Sequence, residues 1–226
     1  MGRSRYKILE DRYPYFLTST IVEHYKIFDL QQFRCVLIDG LNFLAKERNI
    51  EINAYVIMPN HFHLMLSERE PGGISSFMRR LLTSYSMYIN KKYERSGPLM
   101  CRPFRAKHID SDAYLRWVIS YIHLNPVEYL VPEWGSSGLS DATGAQQQLK
   151  QYPFSSYVDY YVTDRDETRV IKLKPRNPFG GLHLLLISYC KGKQNRVERS
   201  RSDSFIRRSM TLLMVSNARG KGGHRQ

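Results

Sequence analysis

The stretch INAYVIMPNHFHLML, Ile52 to Leu66, decides the architecture of the chain. Two strand-like apolar runs, Ile52–Met58 and His61–Leu66, are separated only by Pro59-Asn60. A polar break this short joins antiparallel neighbours, so the stretch reads as a β-hairpin. Upstream, Leu30 to Glu47 carries Phe33, Val36, Leu37, Leu41, Phe43 and Leu44 at roughly helical spacing, with Asp29 placed as its cap. Before that, Tyr13 to Glu23 (YPYFLTSTIVE) is rich in aromatic and β-branched residues, as strands are. Downstream, Ser75 to Lys92 is helical, with Phe77, Leu81, Leu82, Tyr85 and Tyr88 on its apolar or aromatic side and Met78 left off it. Pro98 to Ile109 returns to strand character. Asp112 to Leu124 is a third helix, expected to end at Asn125-Pro126 because proline disfavours helical geometry in the residue before it. The order β-α-β-β-α-β-α is an α+β, split βαβ pattern of the ferredoxin or RNA-recognition type, with a basic tail.

The composition narrows the possibilities. The chain has 226 residues with 34 Lys and Arg against 21 Asp and Glu, a formal charge of +13. Its 42% hydrophobic content supports a packed core, and no apolar run approaches the ~20 residues that span a bilayer. The longest candidate, Leu182 to Cys190, is far too short. The first residues, MGRSRYKILEDRYPYF, have no apolar stretch before their first acids and are not expected to be a secretory signal. Cys35, Cys101 and Cys190 are odd in number and widely spaced, which fits neither a zinc site nor a disulfide framework and favours a reducing cytoplasm. No glycine-rich phosphate loop and no internal repeat is present; Gly72-Gly73 and Gly180-Gly181 read as turns.

Excess positive charge points to a polyanion, nucleic acid before membrane. Lys191 to Gln226 hold ten Lys and Arg and two acids, so +8 of the charge belongs to the tail and +5 to the rest. The tail is a Ser/Gly/Arg mixture expected to be largely flexible, with a short apolar piece at Met210–Val215; it would act as an electrostatic arm or as an extension without function. Arg79 to Lys107 differs in kind: eight Lys and Arg and one acid, Glu94, alternate with Tyr85, Tyr88, Tyr93 and Phe104. Such a surface suits phosphates and unpaired bases. It also fits a solvated helix face with core tyrosines.

The chemistry centres on His61-Phe62-His63. Residues i and i+2 of a strand share a face, so the imidazoles point together and Phe62 points into the core. Two imidazoles on a rigid strand suit a divalent ion, although an alternating strand can also expose two polar residues without purpose. On the third helix Tyr121 and Asn125 lie four apart and share a face. An amide oxygen there could complete a coordination sphere while the hydroxyl points at what the ion holds; the alternative is a core tyrosine and a helix terminator.

Taken together, INAYVIMPNHFHLML, then GPLMCRPFRAKHIDSDAYLRWVISYIHLNPVEY from Gly97, and YPFSSY from Tyr152 to Tyr157, resemble the REP-associated tyrosine transposases, single-tyrosine HUH enzymes related to insertion-sequence transposases. The resemblance spans about residues 8–160, expected to form the catalytic domain, with 161–226 as the basic extension. It implies that His61 and His63 are metal ligands, that Tyr121 is the nucleophile and that Asn125 is the third ligand. Relatives often read G-x-L-W/F-Q-x-R-F/Y where this chain has Gly97-Pro98-Leu99-Met100-Cys101-Arg102-Pro103-Phe104. Cys101 and Pro103 thus replace the usual Gln and Arg, a departure that bears on the DNA contacts of this strand and leaves the catalytic set whole.

The implied reaction is metal-dependent cleavage and rejoining of single-stranded DNA near hairpin or palindromic sequences through a 5′-phosphotyrosine, with Mg²⁺ or Mn²⁺ as cofactor. A free tyrosine is only about one part in a thousand ionised at pH 7 and needs such help. Arg79, Arg80, Lys91, Lys92, Arg95, Arg102 and Arg105 are the expected DNA contacts. The resemblance further implies a monomer or homodimer in the bacterial cytoplasm, associated with the nucleoid and not with membrane. Two alternatives stand beside it: a domesticated hairpin-binding protein that no longer cleaves, and an RNA-recognition-like binder, for which the paired histidines would be coincidence.

Overall fold

The computed structural model describes residues 14–101, 103–130 and 142–161. Strand β1 (Tyr15–Thr20) leads through two 3₁₀ turns, Val22–His24 and Ile27–Asp29, into helix α1 (Gln31–Arg48). Strands β2 (Ile50–Ile57) and β3 (His61–Glu68) form the expected hairpin, followed by α2 (Gly73–Lys92), β4 (Arg105–His108), α3 (Asp112–Leu130), α4 (Ala142–Gln151) and the short α5 (Tyr157–Tyr161). The sheet runs β2-β3-β1-β4, and every pairing is antiparallel. This is the split βαβ arrangement read from the sequence: each βαβ unit leaves room for one strand between its two parallel members.

Every residue from His61 to Leu66 is buried, so helices cover both faces of the sheet. One face carries Phe62, which meets Phe28 edge-on at 6.3 Å between centroids, and Phe28 meets Tyr85 of α2 at 5.6 Å. Helices α1 and α2 pack together on this side, burying Phe33, Leu37 and Leu41 of the first and Phe77, Leu81 and Tyr85 of the second. The opposite face carries His61 and His63 and lies under α3, which packs on β2 and β3.

Several local expectations are corrected. Asp29 does not cap α1: Leu30 occupies the N-cap without a side-chain hydrogen bond, and Asp29 lies in the preceding turn, 3.7 Å from Arg34. Phe43 is exposed, because it falls outside the stripe defined by Leu37, Leu41 and Leu44. Met78, left off the apolar side of α2, is fully buried. Among the described residues of the segment 98–109, Arg105–His108 is strand, and Met100 makes an isolated bridge to Ile21. Finally, α3 does not stop at Asn125 but runs through Pro126 to Leu130. An internal proline removes one backbone bond and costs ~3 kcal/mol in an isolated helix. Here Ile122, Leu124 and Val127 are buried on either side of it, and their packing holds the helix across the break.

Other ends follow local rules. Asn49 closes α1 in the left-handed conformation at φ 54°, which asparagine tolerates. The Glu68 carboxylate accepts a hydrogen bond from the Ile74 amide at 2.6 Å, placing negative charge at the start of α2. The expected tail, Met210–Val215, Cys190 and the boundary near residue 160 lie at or beyond the limit of the described residues, as do the N-terminal thirteen. Among the described residues no helix is long and apolar enough to cross a membrane.

Candidate active site

The register of β1 against β3 sets Thr20 opposite His61, Thr18 opposite His63 and Phe16 opposite Met65. Directly opposed residues share a face, so Phe16, Thr18, His61 and His63 form one patch beneath α3. The imidazole centroids of His61 and His63 are 4.8 Å apart at 75°. The Nδ1 of His63 is 2.8 Å from the Thr18 hydroxyl, and Phe16 stacks on its ring at 5.4 Å. The Nδ1 of His61 is 2.7 Å from the Asn60 amide oxygen. Since that oxygen only accepts, His61 donates from Nδ1 and its Nε2 carries a lone pair. That Nε2 is buried and has no hydrogen-bond partner among the described residues.

Burial also decides the charge. Removal from water pushes the His61 pKa down to about 4, with the nearby His24 adding to the effect. His63 is held well below the ordinary histidine range, first by burial and then by His61. Both rings are therefore neutral near pH 7, the form in which imidazole binds metals.

Helix α3 brings Tyr121 to this pair. Its hydroxyl lies 3.4 Å from His63 Nε2, its ring meets His63 at 5.1 Å and Phe16 edge-on at 5.8 Å, and Trp117 stacks on it at 5.1 Å and 19°. Asn125, one turn further along, is buried. Three of the four expected residues, His61, His63 and Tyr121, thus meet in direct side-chain contact, and Asn125 shares the Tyr121 face of α3. Among the described residues no three His, Cys, Asp or Glu side chains cluster as a metal site. A cation here would need a third donor of another type, such as the Asn125 amide. The chemistry of the donors fits one: an orphaned imidazole nitrogen, a second imidazole whose Nδ1 is also held, and both rings neutral.

The expected DNA contacts are spread over two sides. Arg79, Arg80, Lys91 and Lys92 sit on α2, across the sheet from the histidines. Arg80 donates to Glu47, and Lys92 donates to Gln32 at 3.0 Å while lying over Phe33. Arg95 donates to Asn90 at 2.7 Å. Arg105 is placed differently: it stands opposite Thr18 in the register, on the histidine face. Arg102 lies outside the described residues. Sequence reasoning missed Thr18, Asn60 and Trp117. Thr18 was visible only as an alternating position of β1, and Asn60 only as the neighbour of His61.

The sequence motif YPFSSY acquires a structural role. Val56 bridges Ser155 along the free edge of β2, the Ile57 amide donates to the Phe154 carbonyl at 2.9 Å, and the Tyr152 hydroxyl donates to the Ile57 carbonyl at 2.6 Å. Ser156 accepts from the Tyr55 amide at 2.9 Å and is 2.8 Å from His123 Nε2 on α3. The motif therefore ties the sheet edge to the helix that carries Tyr121.

A family model described as transposase, IS200-like, matches residues 13–125. Among solved structures, nine chains match significantly. A REP-associated tyrosine transposase bound to a REP hairpin aligns with a TM-score of 0.54 and 20% identity over 71% of this chain and 85% of its own. A structure described as a transposase from Deinococcus radiodurans R1 aligns at 0.37 and 19% identity over 54% and 95%. No curated protein sequence matches significantly. The first alignment supports the fold, and the family match, which covers half of the chain from β1 to Asn125, makes it a member of the IS200-like transposases.

Proposed function

We propose that this transposase cleaves and rejoins single-stranded DNA beside hairpin sequences, with Tyr121 as nucleophile and His61, His63 and Asn125 as the holders of a divalent ion. The observation that carries the reading is the Tyr121 hydroxyl poised 3.4 Å from His63 Nε2, beside the orphaned Nε2 of His61. Hairpin DNA is the substrate class because the structural neighbour of the same fold is described as bound to a REP hairpin.

In this mechanism Asn60 and Thr18 hold Nδ1 of the two histidines, so that each Nε2 faces the reaction. Mg²⁺ or Mn²⁺ bound there would supply Lewis-acid stabilisation of charge on the phosphate oxygens, an effect worth several kcal/mol. Phe16 and Trp117 fix the plane of the Tyr121 ring. The tyrosine oxygen forms a new bond to phosphorus, the bond from phosphorus to the 3′ oxygen breaks, and the proton given up by tyrosine is balanced by one gained at the free 3′-OH. One phosphate ester replaces another, so a different 3′-OH can reverse the step and join two strands without ATP. Among the described residues, Arg105 is the expected DNA contact that stands on the face of this centre.

The test is incubation of the full chain with labelled single-stranded hairpin DNA and Mn²⁺, followed by denaturing electrophoresis. A protein–DNA adduct that survives denaturant is expected, absent with EDTA and absent in Tyr121→Phe, which should bind the hairpin within about twofold of the parent. Adduct formation undiminished in Tyr121→Phe removes Tyr121 from the mechanism. Hairpin binding without any adduct in the parent chain points to the non-cleaving alternative.

A further inference from the structure

Two cations and two rings border the histidine face beside the proposed nucleophile Tyr121. In the register of β4 against β1, Lys107 stands opposite Phe16 and Arg105 opposite Thr18. Both side chains therefore leave β4 on the side of His63 and Tyr121. Across from them, Tyr114, Trp117 and Tyr121 follow one another at i, i+3 and i+7 along α3. Their rings are nearly parallel: Tyr114 and Trp117 are 6.0 Å apart at 8°, and Trp117 and Tyr121 are 5.1 Å apart at 19°. The Lys107 ammonium caps the row, 4.4 Å over the Tyr114 ring.

The row grades from interior to surface. Tyr121 is buried, while Trp117 and Tyr114 are half-buried. Tyr55 and Tyr157 of the core, by contrast, are fully buried. Lys107 is not engaged by a carboxylate in any of the ion pairs among the described residues. A cation resting on a ring face can exchange that contact for a phosphate, leaving the ring for a base. Parallel aromatic rings next to positive charge are the elements by which proteins hold unpaired nucleotides.

We infer that Lys107, Tyr114 and Trp117 form a stacking subsite for an unpaired nucleotide flanking the scissile phosphate, with Lys107 on the phosphate and the Tyr114 ring under the base. The subsite rests on the transesterase reading for its place beside the reacting phosphate, but its ligand, a single strand with exposed bases, can be tested without chemistry.

The full chain carrying Trp134→Phe has Trp117 as its single tryptophan. It would be titrated with a twenty-nucleotide oligothymidylate, with an abasic sugar-phosphate oligomer of equal length, and with a blunt twenty-base-pair duplex. Oligothymidylate is expected to quench Trp117 fluorescence, and the abasic oligomer to leave it largely unchanged. Tyr114→Ala and Lys107→Ala should each weaken oligothymidylate binding, the former by about fivefold to a hundredfold, the range set by one lost base stack. Tyr114→Phe should retain the affinity, and duplex binding should change by less than about twofold. Equal quenching by the abasic oligomer, or parent-like oligothymidylate affinity in a folded Tyr114→Ala, overturns the subsite. If the parent still forms the covalent adduct in that case, the transesterase reading stands without it. Ring-dependent binding with no adduct leaves the subsite standing and removes the chemistry.

Discussion

His63 shows how much one side chain depends on residues far away in sequence. Its Nδ1 is 2.8 Å from Thr18, forty-five positions earlier, and its Nε2 faces Tyr121, fifty-eight positions later. Partners that hold the outer nitrogen of a metal-binding histidine commonly contribute ten- to a hundredfold in affinity. Thr18→Val keeps the shape and removes the hydroxyl. It should weaken Mn²⁺ binding, measured by titration calorimetry, by about tenfold or more, and unchanged binding would mean that Thr18 does not orient the ring. The histidine pair was legible because a strand repeats every two residues. Thr18 was not, because nothing local in YFLTST distinguishes the threonine that reaches a histidine from the one that does not.

At the scale of elements, the position of α3 is the decisive feature. Its own sequence contains a proline that argues for an early end, yet the helix continues because its flanks are buried and because Ser156 joins it to β2. Ser156 accepts from the Tyr55 amide and lies within hydrogen-bond distance of His123. Ser156→Ala leaves that buried amide without its acceptor, which costs about 1–3 kcal/mol. A matching drop in the urea-unfolding free energy is expected, with Ser156→Thr closer to the parent. An unaltered midpoint and slope in Ser156→Ala would show that the tie carries no stability. The motif was visible as a string of letters, but its pairing with the edge of β2 spans about a hundred residues and no periodicity encodes it. The same holds for the cations of α2. Their alternation with tyrosines suggested a nucleic-acid surface, whereas Arg80 and Lys92 are turned to Glu47 and Gln32 on the side away from the histidines.

For the molecule as a whole, three buried histidines set the response to acid. Burial holds His61 at about 4 and His123 at about 3, and His63 well below its ordinary value. An unfolded chain binds these protons near pH 6.5, so between pH 6.5 and about 3 it carries more protons than the folded one. Stability must then fall as the pH drops through that window. In metal-free buffer the melting temperature should decline steadily from pH 7.5 to pH 4.5, and His123→Gln should flatten part of the decline; a level or rising profile would contradict the burial of neutral rings. Among the described residues, the ion pairs of Glu47 with Arg48 and Arg80 and of Glu51 with Arg69 join largely solvent-facing side chains and contribute little to this balance. By itself the sequence determined the order of strands and helices, the shared face of His61 and His63, and the family, because these depend on short periods and local spacing. The tertiary structure alone decided which threonine, tryptophan and serine serve the site, that α3 survives its proline, and that Arg105 and Lys107 rather than the cations of α2 face the histidines. Each of these depends on strand register and burial, which arise only when segments distant in the chain exclude water together.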